Sequence, residues 1–336
     1  MTKAKIAAIA THFPPDIVSN DDLAELFPEW TADKILAKTG IAERHISAVD
    51  ETASDLGMQA ALKLFNEFDI DRNSIDFLLL CTQSPDFILP TTACVLQDRL
   101  GLRQDIGALD FNLGCSGFVY GLSLAKGLIE TGSARRVLLI TADTYSKLIH
   151  PKDKSVRTIF GDGAAATLIE AQTGNDDAIG PFIFGTNGAG AKDLIVKTGG
   201  AREERSPSSA QEYQDDSGNT RTADNLYMDG GAVMAFTLRA VPDLMHRLLE
   251  KAALTIDDID YVVFHQANTF ILETLRKKCK IPEEKFVVHM SHCGNTVSST
   301  IPIAMTSLPA GSGSARRVMV VGFGVGLSWA GTIINY

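Results

Sequence analysis

Cys115 is the residue of this sequence best placed to act as a nucleophile. It lies in the segment Asn-Leu-Gly-Cys-Ser-Gly-Phe (112–118), where a predicted strand ends and a predicted helix begins at or just after the cysteine. The free N–H groups and the positive dipole end of a helix N-terminus both favour a thiolate, the dipole by about 0.3–1 kcal/mol. The alternative is a buried, inert cysteine, which is a common fate of this residue type.

A histidine and an asparagine follow later apolar runs and could assist such a thiolate. His265 follows Val-Val-Phe (262–264) and begins a polar turn, and parallel α/β sheets form their sites at that edge. It could equally be a histidine whose partners are all in its loop. Asn295, in Cys-Gly-Asn-Thr (293–296), could donate to a developing oxyanion or only tie a turn. With Cys115 they would form a nucleophile with two polar partners.

An internal repeat gives a reason for these residues to meet. Three landmarks recur in one order, namely Gly-Ser-Ala-Arg-Arg-Val at 132–137 and 313–318 (offset 181), Ile-Asp-Phe/Tyr at 75–77 and 259–261 (offset 184), and cysteine at 115 and 293 (offset 178). Their nearly constant offset predicts two similar halves, residues 1–175 and 176–336. A pseudo-twofold axis between the halves would bring the corresponding strand ends face to face.

Strand-length apolar runs alternate with helical patterns around these landmarks. The predicted strands are 75–81, 106–113 and 136–141, and the predicted helices are 93–100 and 117–131. This alternation predicts an α/β protein with helices packed on sheets. The polar stretch 201–225 is either an exposed loop inserted into the second half or a flap over a site.

The composition is typical of a globular protein and argues against two kinds of partner. The 336 residues are 45% hydrophobic and carry a net charge of −10. That charge argues against nucleic acid and against an anionic membrane surface. No run reaches the roughly 18 apolar residues of a membrane span, and the N-terminal residues predict a short strand, not a signal sequence. Five widely spaced cysteines favour a reducing, cytoplasmic location over a disulfide framework.

Three weaker patterns do not change this interpretation. His289, His292 and Cys293 have the residue types of a zinc site but lack a second ligand cluster, so we expect no metal. The segment Phe-Gly-Asp-Gly-Ala (160–164) lacks the Lys-Ser/Thr ending of a phosphate loop. The glycines of 322–326 are not followed by the helix start that a dinucleotide motif requires.

Together these segments resemble the thiolase superfamily, and most closely its ketoacyl-acyl carrier protein synthase III family. The resemblance covers essentially the whole chain and rests on ordered motifs: Lys-Thr-Gly-Ile-Ala-Glu-Arg (38–44), Gly-Cys-Ser-Gly-Phe (114–118), Phe-Gly-Asp-Gly-Ala (160–164), His-Gln-Ala-Asn (265–268), Gly-Asn-Thr (294–296) and Phe-Gly-Val-Gly (323–326). It implies an α/β, thiolase-like five-layered αβαβα fold of two pseudo-twofold-related halves. It also implies a homodimer and a catalytic triad of Cys115, His265 and Asn295.

The resemblance implies a two-step acyl transfer. The Cys115 thiolate would attack acyl-CoA, with the backbone N–H groups of Cys115 and Val325 as an oxyanion hole, each such donor being worth about 3–4 kcal/mol. A malonyl thioester on acyl carrier protein would then lose carbon dioxide while His265, neutral and protonated on Nε2, and Asn295 donate to its oxygen. Asn268 would contact the pantetheine arm. Acyl-CoA is a substrate, and no cofactor is expected.

Several positions depart from the family's pattern. Lys34 aligns with an aromatic residue that stacks on the adenine of CoA, and Lys38 and Lys154 align with two arginines near the CoA phosphates. Lysine keeps the charge there but loses the bidentate fork. Phe270 replaces an arginine implicated in carrier-protein docking. Leu89 aligns with a residue, often phenylalanine, that a partner subunit lends to the acyl pocket.

These departures leave other functions open. The chain could pass its acyl group to an oxygen, a nitrogen or another ketide, or it could be an inactive partner subunit of such an enzyme. A cysteine hydrolase is a more distant alternative. Retention of the three triad residues argues against the inactive subunit. An acidic carrier protein would need a local basic rim, including Lys277 and Lys278, to overcome the net charge of −10.

Overall fold

The computed structural model of the protein describes residues 1–174, 177–309 and 316–335. The strands are β1 (Thr2–His12), β2 (Asp16–Ser19), β3 (Glu43–Ile46), β4 (Phe77–Cys81), β5 (Gly107–Phe111), β6 (Arg136–Asp143), β7 (Gly163–Thr173), β8 (Ile179–Thr186), β9 (Leu194–Val196), β10 (Tyr213–Gln214), β11 (Thr220–Arg221), β12 (Leu226–Met228), β13 (Tyr261–Phe264), β14 (Phe286–Val287), β15 (Arg317–Gly324) and β16 (Ser328–Asn335). The α-helices are α1 (Asn20–Leu26), α2 (Ala32–Thr39), α3 (Ala53–Glu67), α4 (Thr92–Arg99), α5 (Gly117–Glu130), α6 (Lys154–Arg157), α7 (Gly230–Ala252), α8 (Thr269–Lys278) and α9 (Thr300–Thr306).

Two five-stranded sheets share one strand order. The first has the order β1-β7-β6-β4-β5, and the second has the order β8-β16-β15-β13-β14. In each sheet the fourth strand is parallel to both neighbours, and the remaining pairs are antiparallel. The fold therefore repeats itself strand for strand, as the sequence landmarks predict, since β4 corresponds to β13 and β6 to β15.

The helices form three layers around the two sheets. Helices α5 and α9 lie between the sheets, where their buried side chains share one core with strands of both. Helices α3 and α4 cover the outer face of the first sheet, and α7 and α8 cover the outer face of the second. This is the predicted five-layered αβαβα arrangement, and it explains why β6 and β15 are apolar on both faces: helices cover each side.

The predicted elements of the first half are confirmed with small shifts at their ends. The helix expected at 117–131 spans Gly117–Glu130, and the strand expected at 136–141 continues to Asp143. The second copy of the six-residue repeat lies partly outside the described residues, as does the proposed boundary at residues 175 and 176. All strands of the first sheet precede that boundary and all strands of the second follow it, and the division itself stays a prediction.

Among the described helices, none combines the length and the apolar character that a membrane span requires.

Candidate active site

Cys115 lies in the turn between β5 and α5 and lines an internal cavity of about 290 Å³. Its side chain is 6% exposed. Helix α5 begins at Gly117, where a Cβ would lie 2.2 Å from Sγ of Cys81 on β4. Glycine there lets the helix N-terminus approach the sheet, so the free N–H groups of its first turn lie beside Cys115. The prediction that a helix begins just after this cysteine is confirmed.

The thiol of Cys115 is subject to two opposed influences. Burial, and then the charge of nearby Asp143, raise its pKa to about 12, while the backbone N–H groups of Cys115 and Val325 act to lower it. The segment that carries Val325 comes close because residue 324 is glycine; a Cβ on Gly324 would lie 2.7 Å from Sγ. The two expected oxyanion-hole donors therefore lie beside the sulfur.

His265 follows the end of β13 and is held at both its backbone and its ring. Its N–H donates to the carbonyl of Val321 at 2.8 Å, and its Nδ1 lies 2.7 Å from Oγ1 of Thr300. The side chain is buried, and that burial lowers its pKa to about 3. The imidazole is therefore neutral at physiological pH and offers one N–H donor and one lone pair.

Asn295 is positioned by the first half of the chain. Its N–H donates to the carbonyl of Ile159 at 2.9 Å, and its carbonyl accepts from the N–H of Gly161 at 3.1 Å. Its side-chain Oδ1 accepts from the N–H of Val297 at 3.0 Å, which turns Nδ2 towards Nε2 of His265 at 3.4 Å. The segment 160–164 thus has a structural role.

The structure brings Cys115, His265 and Asn295 together on the wall of one cavity. The thiol can attack a thioester there, and the histidine and asparagine can offer N–H donors to a second oxygen. These are the parts needed for acyl transfer through a covalent intermediate.

Asp143, at the end of β6, joins the two halves beneath this cavity. Its carboxylate accepts from the N–H of Gln83 at 2.7 Å, and from the hydroxyl and N–H of Ser298 at 2.5 and 3.4 Å. Burial raises the pKa of Asp143 to about 7, although these hydrogen bonds act to lower it. Since Ser298 lies between Asn295 and Thr300 in the chain, the carboxylate anchors the segment that carries both.

Asn268 and Phe270 line the same cavity from the start of α8. Oδ1 of Asn268 accepts from the N–H of Ile271 at 2.9 Å and so caps the helix. Phe270 is 60% exposed, which makes an apolar side chain part of the cavity rim at the position where a basic one was expected from the family. Lys277 and Lys278 lie in the last turn of α8.

Trp30 is a residue that sequence reasoning missed. The ammonium groups of Lys34 and Lys38 lie 5.2 and 4.6 Å from the centre of its ring. The three residues are spaced four apart, a spacing that places residues of a helix on one face, and this was the signal that could have found them. Lys154 lies close by in an ion pair with Glu29, at 2.7 Å. An aromatic ring with two exposed cations therefore stands where the alignment offered only lysines.

Leu89 does not reach the cavity of its own chain. It lies in a loop between β4 and α4 and is 84% exposed, next to Phe87 and Ile88, which are 55% and 92% exposed. The apolar wall of the cavity comes from elsewhere, including Leu194 of β9 and Met228 of β12.

The polar stretch 201–225 is tied to the segment that precedes α6. Arg221 is buried and pairs with the buried carboxylate of Asp153 at 2.9 Å and with Asp215 at 2.7 Å. Glu212 pairs with Lys152 at 3.0 Å. Most side chains of 201–214 are exposed, and β12 follows the stretch directly. The stretch therefore connects the surface to a strand of the cavity wall.

His289, His292 and Cys293 lie along a second, smaller cavity of about 270 Å³, together with His45. Within the described residues, no set of three or more histidine, cysteine, aspartate or glutamate side chains is arranged to hold a metal ion.

Comparison with protein families gives two matches that cover the site. Residues 109–188 match the family described as 3-oxoacyl-[acyl-carrier-protein (ACP)] synthase III, and residues 249–336 match the description 3-oxoacyl-[acyl-carrier-protein (ACP)] synthase III C terminal. The first match includes Cys115, and the second includes His265 and Asn295.

Individual relatives match the chain along its whole length. Beta-ketoacyl-[acyl-carrier-protein] synthase III of Lactococcus lactis subsp. lactis (strain IL1403) is 37% identical over 346 aligned positions, covering 100% of both chains. A crystal structure of a 3-oxoacyl-(acyl-carrier-protein) synthase III is 57% identical with a TM-score of 0.97, covering 99% of this chain and 100% of that one. A 3-oxoacyl-(acyl-carrier protein) synthase of Burkholderia xenovorans LB400 is 37% identical with a TM-score of 0.90, covering 99% and 95%.

Proposed function

This chain belongs to the 3-oxoacyl-[acyl-carrier-protein] synthase III family, and from that premise we propose that it condenses an acyl group from acyl-CoA with a malonyl group on acyl carrier protein. The product is a β-ketoacyl thioester on the carrier. The observation that carries the proposal is the convergence of Cys115, His265 and Asn295 on one cavity.

In the first step, the sulfur of Cys115 forms a bond to the acyl carbon of acyl-CoA, and the bond from that carbon to the CoA sulfur breaks. The thiol proton leaves with the CoA thiol. The oxygen of the tetrahedral intermediate receives hydrogen bonds from the backbone N–H groups of Cys115 and Val325, which lie beside the sulfur. These fixed dipoles stabilise the charge where it develops.

In the second step, the malonyl thioester loses carbon dioxide and its electron pair becomes an enolate. His265 and Asn295 stabilise the enolate oxygen by N–H donation, which needs a neutral imidazole, and the lowered pKa of His265 provides one. The enolate carbon then attacks the acyl carbon on Cys115. The bond to sulfur breaks and the cysteine is regenerated.

The outer part of the CoA molecule has a matching surface on this chain. Trp30 offers a ring for the adenine, and the exposed ammonium groups of Lys34 and Lys38 offer charge for the phosphates. Lys154, which aligns with a phosphate-binding arginine, is paired with Glu29 and would have to exchange that partner for phosphate. Asn268 lines the cavity where the pantetheine arm would pass.

The carrier protein and a second copy of the chain complete the proposal. An acidic carrier would dock at the rim formed by Phe270 and the lysines of α8, with Phe270 supplying an apolar contact in place of an ion pair. A second copy would receive the exposed Leu89 loop into its acyl pocket. The enzyme would use no cofactor and would act in the cytoplasm.

The test is decarboxylation of malonyl-acyl carrier protein with a labelled carboxyl group, in the presence of acetyl-CoA. Labelled carbon dioxide and a ketoacyl product should appear together. His265→Ala should slow both by about 10²–10³-fold, as expected for the loss of an oxyanion donor, while acyl-enzyme formation continues. His289→Ala, in the second cavity, is the matched control and should behave as the wild type.

Three results would contradict the proposal. An acyl-enzyme that forms without release of carbon dioxide indicates transfer to another acceptor. Rapid production of free acid without any acceptor indicates a hydrolase. A protein that never acylates indicates an inactive partner subunit.

A further inference from the structure

The hydroxyl of Thr300 has one hydrogen and two acceptors within reach. Its Oγ1 lies 3.1 Å from the carbonyl oxygen of Val297 and 2.7 Å from Nδ1 of His265. Thr300 is 2% exposed, and His265 is also 2% exposed. Water is therefore largely absent here, and the choice of acceptor decides which nitrogen of the neutral imidazole carries the proton.

The two choices give the cavity different chemistry. If Thr300 donates to Val297, its oxygen accepts from an Nδ1–H, and Nε2 presents a lone pair to the cavity. If Thr300 donates to Nδ1, the ring proton is on Nε2 and faces the cavity as a donor. Only the second tautomer can support an enolate oxygen.

The geometry around Asn295 favours the second choice. Oδ1 of Asn295 accepts from the N–H of Val297 at 3.0 Å, so Nδ2 is the atom that faces His265. The separation of Nδ2 and Nε2 is 3.4 Å, which is longer than the usual range of about 2.7–3.2 Å for a hydrogen bond. Two N–H groups at this spacing both point towards a common acceptor between them. The shorter of the two Thr300 contacts is also the one to Nδ1.

We propose that Thr300 is a positioning residue for the condensation step: its hydroxyl donates to Nδ1 of His265 and so keeps the proton on Nε2, beside Nδ2 of Asn295. The edge of the His265 ring packs against Phe323, with the ring centres 5.5 Å apart and the planes at 86°, which holds the imidazole in this orientation. The inference rests on the proposed function, because it assigns Thr300 to the step that uses His265.

Nitrogen-15 NMR of the resting protein at neutral pH tests the tautomer directly, without any substrate. The wild-type spectrum should show His265 protonated on Nε2. Thr300→Val keeps the shape but removes the hydroxyl, and it should move the population towards the Nδ1-protonated ring, since Nδ2 of Asn295 is then the nearest donor. Thr300→Ser keeps the hydroxyl and should restore the wild-type spectrum.

The kinetic readout separates positioning from a structural role. Thr300→Val should slow malonyl decarboxylation by about 100-fold, the size expected when one oxyanion donor is lost, and should leave acylation of Cys115 unchanged. A wild-type ring protonated on Nδ1 overturns the inference, and so does a Thr300→Val variant with normal decarboxylation. If Thr300→Val does not fold, the wild-type spectrum and Thr300→Ser still decide. A wild type that holds the Nε2 proton but never decarboxylates malonyl-acyl carrier protein contradicts the proposed function instead.

Discussion

The reactivity of Cys115 depends on a balance between burial and a few fixed dipoles. Burial and Asp143 favour the thiol, and the N–H groups of Cys115 and Val325 favour the thiolate. The first turn of α5 adds its dipole to the second group. The thiol pKa of about 12 in the substrate-free cavity means that the resting nucleophile is protonated. The proton must therefore leave during attack on the thioester.

Asp143 makes this site sensitive to pH through its own titration. Its pKa in the fold, about 7, lies above the ordinary value of 3.8, so folding favours the protonated carboxyl. The stability that this group contributes is complete below about pH 4 and is lost as the pH rises to about 7.

Asp143→Asn should remove this pH dependence. The free energy of unfolding of the wild type should fall relative to that of the variant between pH 5 and pH 6.5, by roughly 1.4 kcal/mol per pH unit at most. Urea unfolding of both proteins at several pH values measures the difference. Asp105→Asn, at an exposed carboxylate, is the control. A wild-type-minus-variant difference that stays constant across this range would show that Asp143 does not titrate there.

At the scale of elements, strand ends carry the chemistry and glycines let them approach. Cys115 follows β5 and His265 follows β13, and these patterns were readable because each residue ends an apolar run. The contacts around Asn295 were not readable in this way. They join it to Ile159 and Gly161, more than 100 residues earlier, through the packing of one half on the other. Thr300 was missed for the same reason, because its contact with His265 spans 35 residues.

The polar stretch 201–225 shows a second limit of pattern reading. Its polarity indicated exposure, which holds for most of its first part, but not the buried pair of Arg221 and Asp153. A charged side chain can be buried when a partner compensates it, and sequence order does not identify the partner.

Arg221→Met should detach this stretch. The change leaves Asp153 buried without its partner, at a cost of about 3–5 kcal/mol. Cleavage by a protease that cuts after glutamate should accelerate, since the stretch contains Glu203, Glu204 and Glu212. Lys197→Met, which removes an exposed ion pair with Glu203, is the matched control and should be cut at the wild-type rate. Equal cleavage of all three proteins would refute a fastening role for Arg221.

At the scale of the whole molecule, the fold was the most predictable feature. Landmarks at nearly constant offsets predicted two similar halves, and the two sheets share one strand order. Repetition survives in sequence because each half must bury the same faces. The role of Leu89 was not accessible in this way. A residue that completes the pocket of another copy has no signature in its own chain.

Leu89→Asp should disrupt a homodimer. In the described residues β5 pairs only with β4, so its other edge is open, and the Leu89 loop and Leu109 expose apolar surface on this part of the first sheet. A charge at Leu89 should convert a wild-type dimer to a monomer in light scattering after size-exclusion chromatography. Val49→Asp, at a residue that is 99% exposed elsewhere, should remain dimeric. A monomeric wild type, or a dimeric Leu89→Asp variant, would contradict this interface.

The most direct test of the whole proposal is the mass of the intact protein after incubation with acyl-CoA. The wild type should gain the mass of one acyl group, and peptide mapping should place it on Cys115. Cys94→Ala, which removes an exposed thiol, should gain the same mass. Cys115→Ala should gain none. An acyl group that persists in Cys115→Ala, or a wild type that never acquires one, would contradict the assignment of Cys115 as the nucleophile.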